Sequence, residues 1–161
     1  MKSFMKMIVF IIAVCMAIPV SGYAQEPSQV EKAVTAIVNK YEDVKGVESM
    51  TVVKGHGLEL VKAMFNKQFG KEFMKGVTSI TIINYSEASQ ETCQSLHKDF
   101  DVFLSLLEEF QVGKEKAFAD NEYIRSFASV SEGGTLSDFI IAVEKEDSKM
   151  FMYMAGDIKV E

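Results

Sequence analysis

The nine residues Lys45-Gly46-Val47-Glu48-Ser49-Met50-Thr51-Val52-Val53 recur, shifted by 30 positions, as Lys75-Gly76-Val77-Thr78-Ser79-Ile80-Thr81-Ile82-Ile83. Five positions are identical, and three more exchange one apolar residue for another. Both copies are rich in β-branched residues and preceded by glycine, which predicts two strands. Between them Leu58, Val61, Met64, Phe65 and Phe69 fall at helical spacing and stop at Gly70. A strand-helix-strand unit of this kind predicts parallel strands joined by a right-handed crossover, with antiparallel return through a wide turn as the alternative. Side chains alternate between faces along a strand. Met50 and Val52 should therefore share a face with Ile80 and Ile82, and Thr51 and Val53 the other with Thr81 and Ile83. Two copies are too few for a solenoid.

Around this unit the periodicities change. Ser28 stands three residues before Glu31, the capping-box spacing, and Val30, Ala33, Val34, Ile37, Val38 and Tyr41 follow at helical intervals toward Gly46. Glu31, Lys32, Asn39, Lys40 and Glu42 form the outer face of that helix. Glu91 to Phe110 reads as the longest helix, with a stripe of Cys93, Leu96, Phe100, Phe103, Leu104 and Leu107. From Lys114 onward, short apolar runs are separated by turn residues. Lys116 to Ala119, Glu122 to Val130, Thr135 to Val143 and Lys149 to Ala155 read as four strands of a meander, with Glu144 to Ser148 a charged loop. Met150, Met152 and Met154 face one way, and Phe151 and Tyr153 the other, so the last strand should be central and covered on both sides. The sum is an α+β fold, with amphipathic helices packed on a mixed, largely antiparallel sheet that ends in a C-terminal β-meander.

The N-terminus has a different logic. Lys2 and Lys6 precede the uncharged apolar run Met7 to Val20, and Gly22-Tyr23-Ala24 places small residues at −3 and −1 of a cut between Ala24 and Gln25. That is the layout of a cleavable signal peptide over residues 1–24, which leaves a single α+β domain over 25–161. The run is shorter than the roughly 20 apolar residues of a membrane-spanning helix, so no stable span is expected after cleavage. Bulky Val14 before Cys15 argues against lipid anchoring there. Cleavage leaves 15 Lys and Arg against 23 Asp and Glu. So acidic a chain, with no basic run, is a poor partner for nucleic acid. It also leaves Cys93 alone, unable to form an intramolecular disulfide.

The Tyr-Ala-Gln ending of the signal, the Gly46-Val47-Glu48-Ser49 strand, the Ser79-to-Ile82 strand, Leu136-Ser137-Asp138-Phe139 and the closing Ala155-Gly156-Asp157-Ile158 resemble one known family. This is the family of small exported bacterial proteins catalogued as domain of unknown function 4252. The resemblance covers nearly all of the mature chain and implies export to the periplasm, cell envelope or exterior. Because members of that family are typically exported or lipid-anchored, it also keeps lipid attachment at Cys15 open despite Val14. It brings no catalytic residues with it.

Three residues are candidates for chemistry. Cys93 and His97 are four apart on a predicted helix and could face one ligand, but a structural zinc site needs about four ligands. His56 lies in Lys54-Gly55-His56-Gly57, a glycine-flanked turn of the kind that can hold an anion on helix amides. The motif is neither a Walker pattern nor a dinucleotide fingerprint, and a plain strand-to-helix turn explains its glycines. Cys93 as a nucleophile would need His97 or His56 as base and a carboxylate to orient it. Asp99 with Asp101, Glu108 with Glu109, and Glu144 with Glu146 and Asp147 match no calcium-loop spacing and read as solvated surface. No cofactor, metal or catalytic site is expected. The expected function is that of a non-enzymatic binding or accessory domain whose partner is another envelope protein or envelope component. The rival classes are a hydrolase using His56 or Cys93, and a structural or chaperone-like envelope factor.

Overall fold

The structure, a computed structural model, describes residues 27–53, 55–69, 72–109, 123–130, 133, 135–145 and 147–158. The expected signal peptide with Cys15, Ala24 and Gln25, and the expected strand from Lys116 to Ala119, lie outside the described residues.

The Ser28 hydroxyl accepts the Glu31 amide at 3.1 Å, so helix α1 (Gln29–Tyr41) starts where the capping-box spacing puts it. Strand β1 (Glu48–Val53), helix α2 (His56–Phe69), strand β2 (Gly76–Asn84) and helix α3 (Gln90–Phe100) follow. A 3-10 segment (Asp101–Ser105) leads to β3 (Glu108–Glu109), and then come β4 (Tyr123–Val130), β5 (Leu136–Lys145) and β6 (Ser148–Ile158). The strands form one six-stranded sheet in the order β1-β2-β6-β5-β4-β3. This is an α+β fold closed by the β4-β5-β6 meander.

Both repeat copies are strands of this sheet, but they run antiparallel, as do all the other neighbouring pairs. The expected parallel crossover is therefore corrected, and the sheet is not mixed. Val53, at the end of β1, stands opposite Ser79, near the start of β2. Helix α2 thus leaves and rejoins the sheet at one end, as a wide hairpin connection. The turn after α2 is tied back to it by the Met74 amide on Asn66 Oδ1 at 3.1 Å. Periodicity fixes which face a side chain takes, and that is the same in either strand direction.

The faces follow the alternation. Val52, Ile80, Ile82, Met150, Met152 and Met154 are buried with Leu58 and Val61 of α2 on one side. On the other side Ile83, Ile140, Phe151 and Tyr153 are buried with Val34, Ile37 and Tyr41 of α1 and with Leu96, Phe100 and Phe103. Strand β6 is central and apolar on both faces. One repeat position breaks ranks: Val47 packs in the α1 layer and Val77 in the α2 layer. The β2–β6 register shifts between Val77 and Ser79, beside Gly156, whose φ is +96° and where a Cβ would stand 2.2 Å from the Gly76 carbonyl oxygen. The bulge turns Val77 over.

The long third helix is also corrected, since α3 ends at Phe100. Phe100 and Phe103 both stack on Phe151, at 4.9 and 5.8 Å between ring centroids. The tighter 3-10 spacing aligns residues three apart, and it leaves Leu104 51% exposed rather than in the stripe. Glu108 and Glu109 then pair with Ala128 and Phe127 of β4. Arg125, the chain's sole arginine, holds this corner. It donates from Nε to Glu109 at 2.8 Å and from Nη1 to Asp101 at 2.7 Å. Gly46 does not end α1, which stops at Tyr41. Its φ is +83°, and a Cβ there would meet the Glu87 carbonyl oxygen at 2.3 Å. Among the described residues no helix is long and apolar enough to cross a membrane.

Candidate functional site

Helix α1 covers the β1-β2-β6 side of the sheet with its Val30, Val34, Ile37 and Tyr41 stripe. Glu31, Thr35 and Asn39 recur every four residues along its flank, so they form one polar wall. Below them the sheet presents Thr51, Ser79 and Thr81, alternating with the apolar residues that turn to the other face. Tyr153 of β6 closes the floor, and Val34 and Val38 line the helix side. Together these residues enclose a groove of about 230 Å³.

Its chemistry is that of hydroxyls, one amide and one carboxylate. Thr51 and Thr81 sit opposite each other in the β1–β2 ladder, with their Oγ1 atoms hydrogen-bonded at 3.0 Å. The Tyr153 hydroxyl donates to Asp138 Oδ1 at 2.6 Å. Burial, and then that hydrogen bond to a carboxylate, push the Tyr153 phenol well above its ordinary range, so it stays protonated at any physiological pH. Asp138 has φ +50°, the left-handed region that aspartate tolerates better than most residues. It sits where the β5–β6 register shifts between Ser137 and Phe139. The irregularity takes Asp138 out of the ladder and aims its carboxylate at Tyr153. Of the three buried polar residues described, Ser79 and Thr81 line this groove, and Ser126 is the third. Buried hydroxyls cost stability unless satisfied, so their concentration under one helix flank marks the groove out from the apolar sheet around it.

Cys93 and His97 do lie together on α3, and tertiary structure adds Glu144 and Lys149, neighbours across the β5–β6 ladder. His97 Nε2 is hydrogen-bonded to Glu144 Oε1. Lys149 Nζ donates to Cys93 Sγ at 3.4 Å. Glu144 is thus a strand residue with a 17% exposed side chain, not part of a solvated loop. Cys93 is only 5% exposed and packs with Leu96 and Phe100 in the α1 layer. His56 stands apart as the exposed first residue of α2, after Gly55 at φ +110°. It serves the strand-to-helix turn.

The acidic pairs separate as well. Asp99 takes Lys40 Nζ and the Tyr41 hydroxyl, each at 2.7 Å, whereas Asp101 takes Arg125. A second hollow, of about 290 Å³, is rimmed by Glu42, Asp43, Glu48 and Glu87, all exposed to solvent. Among the described residues no three His, Cys, Asp or Glu side chains converge to hold a metal ion.

No family model, curated protein or solved structure matches this chain.

Sequence reading placed Glu31 and Asn39 on the solvated face of α1 and did not single out Thr35, Thr51, Ser79, Thr81, Tyr153 or Asp138 as a site. The one available signal was the pair Ser79 and Thr81, two residues apart in a strand that is otherwise apolar from Ile80 to Ile83.

Proposed function

We propose that this chain is an exported, non-enzymatic binding domain of the cell envelope, related to domain of unknown function 4252, and that the α1 groove is its binding site. The observation that carries the reading is the groove itself. A ridge of Glu31, Thr35 and Asn39 faces the sheet hydroxyls of Thr51, Ser79 and Thr81 over apolar walls. Polar side chains outnumber the two valines, Val34 and Val38, that line it, so its ligand would be held chiefly by hydrogen bonds. No lysine or arginine lines the groove, which favours a neutral ligand rather than an anion. Hydroxyls, an amide and a carboxylate both donate to and accept from a hydroxyl-rich molecule, and the volume suits one saccharide ring or a residue of that size. The protonated Tyr153 and its strained partner Asp138 fix the floor without supplying a base.

The hydrolase alternative has the Cys93, His97 and Glu144 grouping in its favour. Against it stands the burial of Cys93 in the apolar layer, where a substrate carbonyl could not reach its sulfur. The test is an NMR titration of the labelled protein with a panel of neutral envelope saccharides. Shifts confined to Thr35, Asn39, Ser79 and Thr81, abolished by Asn39→Ala and Thr81→Val, support the reading. Absence of shifts across the panel, or shifts that survive both substitutions, sinks it.

A further inference from the structure

The repeat pairs with itself. Within the chain β1 and β2 run antiparallel with Thr51 opposite Thr81, and these two threonines are the same position of the nine-residue motif. The ladder therefore has a local twofold axis through the Thr51–Thr81 pair. Met50 opposite Ile82 is matched by Val52 opposite Ile80, and Ser49 opposite Ile83 by Val53 opposite Ser79.

Strand β1 is also an edge of the sheet, with β2 as its one partner among the described residues. Sheet edges are ordinarily blunted by brevity, Lys, Pro, bulges or inward charges. The opposite edge, β3, is two residues long and both are glutamate. By contrast β1 pairs over six consecutive residues with no register shift. It holds no Pro and no Lys, and its one charge is Glu48 at its first position.

We propose that β1 is a dimerisation edge, at which two copies of this chain pair antiparallel about Thr51. Paired residues of an antiparallel ladder lie on the same face, so a symmetric β1–β1 pairing must have its axis on a residue. With the axis on Thr51, Met50 meets the second copy's Val52, and Ser49 its Val53. Each is the pair already made with β2, translated through the repeat. The internal ladder thus shows that these side-chain types pair across strands, while the hydrogen-bonded and non-hydrogen-bonded positions exchange at the outer edge. The axis stands perpendicular to the sheet, so both α1 grooves open on the same side of one continuous sheet.

The register is testable by disulfide trapping of variants that each add one cysteine, with Cys93 left in its buried native position. Cross-strand Cα atoms lie about 4.5–5.5 Å apart, within the disulfide range of about 4.4–6.8 Å. Thr51→Cys should therefore link two copies rapidly under mild oxidation. Ser49→Cys stands four residues from its counterpart, about 14 Å along the strands, and should stay monomeric under the same oxidant. Sedimentation of the unsubstituted protein should show a concentration-dependent dimer. Thr51→Lys, which places like charges opposite each other on the axis, should abolish it. A monomer at every concentration overturns the proposal, as does linkage of Ser49→Cys as readily as of Thr51→Cys.

Discussion

Raising the pH should destabilise this protein through Tyr153 and Tyr41, two tyrosines buried beside carboxylates. Burial, and then the hydrogen bond to a carboxylate, raise the phenol of Tyr153 beside Asp138 and that of Tyr41 beside Asp99 above the ordinary value near 10. A group whose pKa is raised by folding contributes stability that is present in full below its unfolded pKa and lost as pH climbs toward the folded one. Through neutral pH both tyrosines are protonated in both states, so they give no pH dependence. Above pH 10 the unfolded chain ionises and the folded one does not, and each tyrosine removes about 1.4 kcal/mol per pH unit. By pH 11.5 that is about 2 kcal/mol each, or about 4 kcal/mol together, against a total of roughly 5–15 kcal/mol. With a urea slope of about 2 kcal/mol/M, the unfolding midpoint should fall by about 2 M between pH 9.5 and pH 11.5. The assay is urea unfolding at the two pH values for the wild type, Tyr153→Phe, Tyr41→Phe and the double variant. At pH 9.5 Tyr153→Phe should cost about 1 kcal/mol, since water can reach the partly exposed Asp138 carboxylate it leaves. Relative to the wild type, each single variant should lose about half of this added alkaline fall and the double variant nearly all of it. What remains is the fall from groups common to all four proteins, buried Tyr85 among them. Lysine deprotonation is common to all four proteins and cancels in the comparison. A double variant that loses stability as steeply as the wild type would refute the reasoning.

Cys93, 5% exposed in the α1 layer, should resist thiol reagents in the native state and react fully once urea unfolds the chain. Rapid native labelling would show that the α3 layer opens and would revive Cys93 as a nucleophile. Arg125→Ala should destabilise by about 1–2 kcal/mol, because the side chain joins Asp101 to Glu109 and stacks 4.9 Å over the Phe127 ring. Hydrogen exchange should show the loss concentrated at the β3–β4 pairs Glu108–Ala128 and Glu109–Phe127, and exchange unchanged there would contradict the clamp. Gly46→Ala should cost about 2 kcal/mol or more by thermal unfolding, since both its φ and the Glu87 carbonyl oppose a Cβ; a neutral outcome would mean that the loop shifts freely.

Local patterns determined a good deal by themselves. The Ser28 cap, the stripes of α1 and α2, the two repeat strands and the two-faced β6 are short-range features. Each is set by side-chain alternation or by a contact within one helical turn. The structure shows the cap, the three strands to within a few residues of the expected ends, and Leu58, Val61 and Met64 of the α2 stripe packed in the core. The face assignment of Met50, Val52, Ile80 and Ile82 belongs with them, because alternation is a property of a single strand. Strand direction is not, since β1 and β2 satisfy the same alternation whether parallel or antiparallel. What chose between them was the path of α2 and the docking of β2 against β6. The end of α3 was likewise decided at a distance: Phe100 and Phe103 wind tightly to stack on Phe151, and Arg125 captures Asp101 and Glu109 from β4. The α1 groove needed tertiary structure for the same reason. Glu31, Thr51, Thr81 and Tyr153 come from α1, β1, β2 and β6, and each alone reads as a surface or strand residue. Only packing one helix flank over the sheet gives them a common space.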